Sequence, residues 1–137
     1  MTTIISDGIE MASDSLTCCN FKLQGVRRKI FRLKNGAIIG FCGESTTHQP
    51  VINWLNGGPK PEFKKSEFSA LILEKCGILS YIDQELHPEM VCAPYAIGTG
   101  CEFAMGAYLA GATLKKSVEI AIKLDKSSGL PVKVVRV

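Results

Sequence analysis

The chain has 137 residues, a length that fits one compact domain, and we therefore expect a single domain over residues 1–137. Apolar residues make up 46% of the chain and charged residues 21%, a composition that supports a hydrophobic core and excludes intrinsic disorder. The formal net charge is only +3, with the basic residues spread along the chain, so we expect no nucleic-acid partner.

Membrane insertion and secretion are not expected either. The longest apolar stretch, residues 37–43, is far shorter than the roughly 20 residues of a membrane helix. The first residues lack the cationic and apolar segments of a secretory signal, so we expect a cytoplasmic protein. The six cysteines contain no C-x-x-C pair, and in a reducing compartment we expect all of them to behave as small apolar residues.

Three hairpins are predicted, each with a glycine in its turn (Gly8, Gly36 and Gly77). They pair residues 2–6 with 9–13, residues 21–33 with 37–42, and residues 68–73 with 78–83. Two further strands are expected, one at residues 95–97 and one running from Pro131 to the C-terminus. The N-terminal residues are therefore expected to form part of a sheet.

Three helices are predicted from the spacing of apolar residues. The first lies between residues 45 and 55, the second spans residues 102–111, and the third is capped by Thr113. The expected buried faces are Val51, Ile52 and Leu55 in the first helix, Phe103, Ala104, Ala107, Tyr108 and Gly111 in the second, and Leu114, Val118, Ala121 and Ile122 in the third. This order of elements argues for an α+β fold in which helices cover antiparallel sheets, rather than a doubly wound βαβ fold.

Several common site patterns are incomplete in this sequence. The chain has two histidines, His48 and His87, which leaves little basis for a Ser-His-Asp or Cys-His mechanism. Glu44 stands where a nucleophile elbow around Cys42 needs its second glycine, and Phe103 stands where a dinucleotide fingerprint needs its third. Four residues of metal-ligating types alternate along one segment: Asp83, Glu85, His87 and Glu89. A solvated strand end explains that alternation better, so we expect no metal site and no cofactor.

Thr2 offers a different chemistry. Its small side chain permits removal of Met1, which places a free α-amine beside the Thr2 hydroxyl. An α-amine has an ordinary pKa of about 7.7 to 8, so part of it is neutral at pH 7 and accepts the hydroxyl proton. Nucleophile and base then belong to one residue, which suits a chain with two histidines. Many chains begin with Met-Thr, however, and this feature alone predicts no function.

Six sequence blocks, in chain order, carry a resemblance to a known family. They are MTTII at residues 1–5, MASDS at 11–15, KIFRL at 29–33, GFCG at 40–43, YAIGTG at 95–100 and DKSSG at 125–129. In this order they resemble the block motifs of the proteasome β-type N-terminal-nucleophile (Ntn) hydrolases, and they look most similar to the bacterial HslV peptidase. The resemblance spans nearly the whole chain, from Thr2 to the last predicted strand.

The resemblance implies an α+β fold, the four-layer αββα sandwich of the Ntn hydrolases, with two stacked antiparallel sheets. The spacings from Thr2 to Asp14 and to Lys29 are shorter than in the family, which implies trimmed hairpin turns. Residues 54–68 are too few, and too rich in Pro, Gly and Lys, for the second helix of the family. We therefore expect one helical layer to be reduced.

The same resemblance assigns catalytic residues. Thr2 matches the N-terminal nucleophile of the family, Lys29 its catalytic lysine, and Asp14 the acid that holds this lysine. An ammonium near the hydroxyl favours its deprotonated form, so Lys29 would act electrostatically. Gly43 matches the glycine whose backbone N–H faces the developing oxyanion.

Two further groups of residues follow from the matching. The hydrogen-bond network around the α-amine is matched by Thr99, Asp125 and Ser128, with Thr99 where the family usually has serine. The positions near the primary specificity pocket are matched by Thr17, Arg27, Phe31 and Phe41. These types imply a partly apolar substrate pocket.

The function implied by the resemblance is that of a threonine-type peptidase, a hydrolase that forms an acyl-enzyme through Thr2 and releases it to water. Its substrates would be peptides or unfolded proteins, and it would form a homo-oligomer. An ATPase unfoldase partner stays open, because ring contacts in the family use helices of the reduced layer. Two alternatives also stay open: a small-molecule amidase on the same fold, and a non-catalytic assembly subunit that retains Met1.

Overall fold

The computed structural model describes residues 2–19 and 23–137. The expectations for Met1 and for the side chains of Cys18 and Cys19 lie outside the described part. The strands are β1 (Ile4–Ser6), β2 (Glu10–Ser13), β3 (Leu16–Cys19), β4 (Leu23–Val26), β5 (Ile30–Arg32), β6 (Ile38–Gly43), β7 (Phe68–Leu73), β8 (Leu79–Asp83), β9 (Glu89–Val91), β10 (Tyr95–Ile97) and β11 (Lys133–Arg136). The helices are α1 (His48–Leu55), α2 (Cys101–Leu109) and α3 (Leu114–Leu124), with a 3₁₀ turn, Ser45–Thr47, directly before α1.

The strands form antiparallel sheets, as the sequence predicts. One sheet has the order β10-β1-β2-β11, a second has the order β5-β6-β7-β8-β9, and β3 pairs with β4 alone. The first predicted hairpin is confirmed, because Ile4 of β1 lies opposite Ser13 of β2. Its short turn is held by the Asp7 carboxylate, whose Oδ1 accepts the N–H groups of Ile9 and Glu10, each at 2.8 Å. The chain is thus a mixed α/β protein built on antiparallel sheets.

The second predicted hairpin is correct only in its later half. Strand β5 begins at Ile30, not near residue 21, and pairs with β6. The preceding residues form β4, which turns away to pair with β3. A single strand over residues 21–33 is therefore wrong, because a break at residues 27–29 separates β4 from β5. That break places Lys29 at the start of β5.

The two larger sheets share one apolar cluster. Ile4 and Met11 of the four-stranded sheet pack with Ile38 and Leu71 of the five-stranded sheet, all fully buried. Gly40 permits the close approach, since a Cβ there would lie 2.7 Å from the Met11 sulfur. The alternate residues of β1 and β2 face the other way and pack under α2 and α3. Both faces of β1 are therefore buried, which explains why the consecutive residues Ile4 and Ile5 are both apolar.

The helices bury most of each face that the sequence predicts, but Phe103 and Gly111 are exposed, and Gly111 lies beyond the end of α2. In α3 the buried residues include Leu114, Val118 and Ala121, and the Thr113 side chain caps the helix by accepting the Lys116 N–H. In α2, however, Phe103 is 41% exposed. Ala104 and Tyr108 are one turn apart and carry the packing of α2, so Phe103 falls at the edge of that face.

The five-stranded sheet is covered on its outer side by α1 and the loop that follows. Val51 and Ile52 of α1 pack against Phe41 and Phe68, and Phe63 of the loop adds to the same cluster. Residues 56–67, all described, contain no helix. Apolar side chains of an irregular segment thus cover part of this sheet.

The cysteines differ from the expectation that all behave as small apolar residues. Cys42 is buried, but Cys76 and Cys92 are exposed. Cys76 lies in the turn between β7 and β8, and Cys92 follows the edge strand β9, where packing is one-sided. Within the described ranges, none of the helices has the length and apolarity that crossing a membrane requires.

Candidate active site

Thr2, Asp14 and Lys29 come together where three strands begin or end. Thr2 precedes β1 and Asp14 follows β2, so antiparallel pairing brings them side by side: the Asp14 N–H donates to the Thr3 carbonyl at 3.1 Å. Lys29 directly precedes β5. Its Nζ lies 3.0 Å from Thr2 Oγ1 and 2.9 Å from Asp14 Oδ1. All three residues are buried.

The Asp14 carboxylate is fully buried, and its charge is compensated by several donors. Besides Lys29, Oδ1 accepts the Thr3 N–H at 3.0 Å. The other oxygen, Oδ2, accepts the N–H groups of Leu16 at 3.2 Å and Gly129 at 3.0 Å. A buried carboxylate needs such partners, because an uncompensated charge in the interior is strongly unfavourable. The ion pair with Lys29 is thereby fixed in place.

A second network lies on the other side of Thr2. Asp125 Oδ2 accepts hydrogen bonds from Thr99 Oγ1 at 2.6 Å and from Ser128 Oγ at 2.7 Å. Oδ1 accepts the Ser127 N–H at 3.1 Å. Burial alone raises the pKa of Asp125, but these hydrogen bonds, from Thr99 foremost, outweigh it and hold the pKa below the ordinary value of 3.8. Asp125 is therefore an anion at neutral pH.

Thr99 joins this network to Thr2. The Thr2 backbone nitrogen lies 3.3 Å from Thr99 Oγ1. Because the single hydroxyl hydrogen of Thr99 is donated to Asp125, the Thr99 oxygen acts as an acceptor toward the Thr2 N–H. Thr99 stands where the resembled family usually has serine, and its hydroxyl takes part in the network.

Two glycines allow the backbone to approach this site. Gly43 ends β6 with φ +96°, and a Cβ there would lie 2.5 Å from the Glu67 carbonyl oxygen. Gly98 has φ +95°, and a Cβ there would overlap the Thr2 carbonyl oxygen. Any other residue would be strained at both positions. Gly43 lines the same cavity as Thr2.

A cavity of about 690 Å³ opens beside Thr2. Of the sequence-predicted residues, those that line it are Thr2, Lys29, Gly43, Thr17, Arg27 and Phe41. Phe31 does not line it; its ring packs edge-on against Phe41, with centroids 5.9 Å apart. The lining residues that the sequence does not assign to this site are Leu16, Arg28, Glu44, Ser45, Thr46, His48, Lys65 and Glu67. No group of metal-ligating side chains suited to an ion occurs among the described residues.

The sequence assigns no role to His48, because two histidines leave little basis for a Ser-His-Asp or Cys-His mechanism. In the structure it begins α1 and stacks on Phe41, with ring centroids 4.3 Å apart and an interplanar angle of 19°. Burial, together with the charges of Arg27 and Lys29, lowers the pKa of His48 to about 4. The imidazole is therefore a neutral part of the cavity wall at pH 7. Its place at the start of the helix predicted shortly after the GFCG block is the signal that points to it.

We expect the neutral state of His48 to make stability depend on pH. Between its ordinary pKa of 6.5 and its folded pKa of about 4, the unfolded chain binds a proton that the folded chain excludes. The free energy of unfolding therefore falls as the pH is lowered through this window. Urea unfolding at pH 7 and pH 4.5 measures the fall, and His48→Gln is expected to reduce it.

The effect of His48 on stability occurs at higher pH than that of Asp125. The pKa of Asp125 lies below 3.8, so its contribution is lost only at still lower pH. If the free energy of unfolding depended equally on pH in the wild type and in His48→Gln, the assignment of this fall to His48 would be wrong.

No protein-family model and no curated protein sequence matches the chain. Solved structures do match it. BPH from Thiobacillus denitrificans in complex with epoxomicin is 17% identical, with a TM-score of 0.72 over 98% of this chain and 96% of that chain. HslV from Trypanosoma brucei is 18% identical, with a TM-score of 0.70 over 99% of each chain. An Anbu mutant from Hyphomicrobium sp. strain MC1 is 13% identical, with a TM-score of 0.74 over 100% of this chain and 82% of that chain.

Each of these likenesses covers nearly all of the chain, and at such low identity each one bears on the fold alone. The resemblance read from the six sequence blocks is confirmed at that level. The chain has the fold of HslV and of the proteasome-like proteins BPH and Anbu.

Proposed function

We propose that the chain is a threonine peptidase that hydrolyses peptide bonds through Thr2. One observation carries this proposal: the Thr2 hydroxyl lies 3.0 Å from the ammonium of Lys29, which a fully buried Asp14 holds at 2.9 Å. A cation fixed at that distance stabilises the alkoxide form of the hydroxyl and makes it a better nucleophile. The hydroxyl also borders a cavity large enough to admit a peptide side chain.

Removal of Met1 gives Thr2 a free α-amine, which is the base of the proposed reaction. Thr99 accepts a hydrogen from this nitrogen and donates its own to Asp125, so Thr99 does not compete for the amine lone pair that takes the Thr2 hydroxyl proton. Lys29 is held by its ion pair with Asp14 and acts through its field. Lys29 thus favours the alkoxide, whereas the amine accepts and transfers the proton.

The reaction then follows in two steps. The Thr2 oxygen attacks the peptide carbonyl carbon, and the negative oxygen that forms is stabilised by the Gly43 N–H. The C–N bond breaks as the leaving amine takes the proton from the α-amine, and an ester joins Thr2 to the acyl group. Water attacks this ester, the α-amine accepting and returning a proton, and Thr2 is released.

The proposal extends to the wider context of the chain. We propose a single domain over residues 1–137, a four-layer αββα arrangement with its outer α1 layer reduced, and a homo-oligomer in the cytoplasm that acts on peptides or unfolded proteins. A helical assembly is described for the Anbu complex of Pseudomonas aeruginosa, which has the same fold. Exposed apolar side chains on α2, Phe103 and Leu109, fit contacts between copies. An ATPase partner remains an open part of this proposal.

A peptide epoxyketone tests the proposal by mass. Its ketone carbon accepts the Thr2 oxygen and its epoxide carbon accepts the α-amine, which together close a ring that retains every atom of the reagent. We expect intact-mass spectrometry to show a chain that begins at Thr2 and gains one whole reagent mass. A chain that retains Met1 and gains no mass supports the non-catalytic subunit. Adduct formation without cleavage of any fluorogenic peptide, but with cleavage of small acyl amides, supports the amidase.

A further inference from the structure

Thr3 touches both networks of the candidate site. It is completely buried, and its N–H donates to Asp14 Oδ1, the oxygen that also binds Lys29. Its hydroxyl oxygen lies 2.7 Å from Ser128 Oγ, which belongs to the Asp125 network. A Cβ on Gly100 would overlap the Thr3 hydroxyl, so the hydroxyl is packed directly on bare backbone. One side chain and its own amide therefore link the two sides of Thr2.

The direction of the hydrogen bond between Thr3 and Ser128 follows from counting hydrogens. Asp125 is ionised and accepts only, so Ser128 donates its one hydroxyl hydrogen to Asp125 Oδ2 at 2.7 Å. Ser128 Oγ is then an acceptor toward Thr3, and the Thr3 hydroxyl is the donor. The hydrogen-bond chain runs from Thr3 through Ser128 to Asp125, where Thr99 donates from the other side.

We infer that Thr3 is a positioning residue whose hydroxyl, acting through Ser128 and Asp125, controls how readily the Thr2 α-amine releases its proton. This inference rests on the proposed function, since the amine exists only after Met1 is removed. Hydrogen bonds in a chain polarise one another, so the Thr3 donor strengthens the bond from Ser128 to Asp125. Part of the negative charge of Asp125 is thereby neutralised before it acts on the amine.

Loss of the Thr3 hydroxyl therefore favours the protonated amine. With a weaker donor at Ser128, the Asp125 carboxylate attracts the ammonium of Thr2 more strongly, and the amine keeps its proton to higher pH. The charged or titratable residues around Thr2 in the described part are Lys29, Asp14, Asp125 and Cys42. Those on the cavity wall are Arg27, Arg28, Glu44, His48, Lys65 and Glu67. Burial raises the pKa of Cys42 to about 12, so its thiol stays neutral, and the other groups are unchanged by the substitution.

Thr3→Val tests this inference, because valine keeps the shape and loses the donor. The extent of α-amine acetylation by trace acetic anhydride, followed by mass spectrometry across pH, reports the midpoint of amine deprotonation without any peptide turnover. We expect Thr3→Val to raise this midpoint by about 0.5 pH unit and to lower kcat/KM at pH 7 by about threefold. Thr3→Ser is expected to restore the midpoint.

Two further variants separate positioning from general destabilisation. Ser128→Ala breaks the same hydrogen-bond chain from its other end, so Thr3→Val is expected to cause no further shift in the Ser128→Ala background. Ser6→Ala removes a fully buried hydroxyl in β1, one that donates to the Glu10 carbonyl, and is expected to leave the midpoint unchanged.

The outcomes distinguish this inference from the proposed function. An unshifted midpoint in both Thr3→Val and Ser128→Ala, or equal and additive shifts from the two, overturns the role of Thr3. A wild-type chain that begins at Thr2 and cleaves neither peptides nor acyl amides overturns the proposed function, while the shift in Thr3→Val still tests the link from Thr3 to the amine. If Thr3→Val does not fold, Thr3→Ala takes its place, because alanine also lacks the donor, and an unshifted midpoint in Thr3→Ala overturns the inference.

Discussion

Thr2→Ala is expected to abolish peptide hydrolysis. Alanine is small enough for Met1 removal, so the α-amine is kept, and the change removes the hydroxyl that lies 3.0 Å from Lys29, together with the γ-methyl group. Without a nucleophile no acyl-enzyme forms, and kcat/KM is expected to fall by at least about a thousandfold. Thr2→Ser retains both hydroxyl and amine and is expected to keep activity within about tenfold of the wild type. Fluorogenic peptide cleavage measures both variants.

The epoxyketone adduct provides a second measurement of the same change. Thr2→Ala offers an amine without a hydroxyl, so the ring cannot close and no stable gain of the full reagent mass is expected. Thr113→Ala is a matched control, because it removes a hydroxyl that caps α3. It is expected to lower stability by about 1 kcal/mol with no effect on the adduct. Hydrolysis by Thr2→Ala at the wild-type rate would show that Thr2 is not the nucleophile.

The features that sequence predicts well are those decided by neighbouring residues. The hairpin of β1 and β2 is marked by Gly8 and Asp7, and the hairpin of β7 and β8 by Gly77 between two apolar runs. Strand β9 is not predicted, because Glu89 and Met90 are both exposed at a sheet edge and so show no alternation of buried and exposed residues. Local pattern carries no information about a strand whose stability comes from its partner.

Some contacts of the candidate site follow from local sequence, and others arise only from tertiary packing. The meeting of Thr2 with Asp14 depends on the pairing of β1 with β2, which the sequence predicts. The role of His48 depends on how α1 packs on Phe41, and that contact joins elements whose relative placement no local pattern records. The link from Thr3 to Ser128 spans 125 positions and closes only when the segment after α3 returns to β1. Such contacts are products of tertiary packing.

Removal of Lys29 is the second change with a large expected effect. In Lys29→Met the Asp14 carboxylate stays fully buried without its cation, and the free energy of unfolding is expected to fall by about 3–5 kcal/mol. Hydrolysis is expected to fall by about a thousandfold, because nothing then favours the Thr2 alkoxide. Urea unfolding and kcat/KM for a fluorogenic peptide measure the two effects separately.

A double variant tells catalysis apart from stability. Lys29→Met with Asp14→Asn removes both charges, so no unpaired ion is buried and part of the lost stability is expected to return. The amide oxygen of the asparagine can still accept a backbone N–H, such as that of Gly129. Hydrolysis is expected to stay low, since the ammonium is still missing from the Thr2 hydroxyl. If activity returned together with stability, Lys29 would be a structural partner of Asp14 and its assignment to the reaction would be wrong.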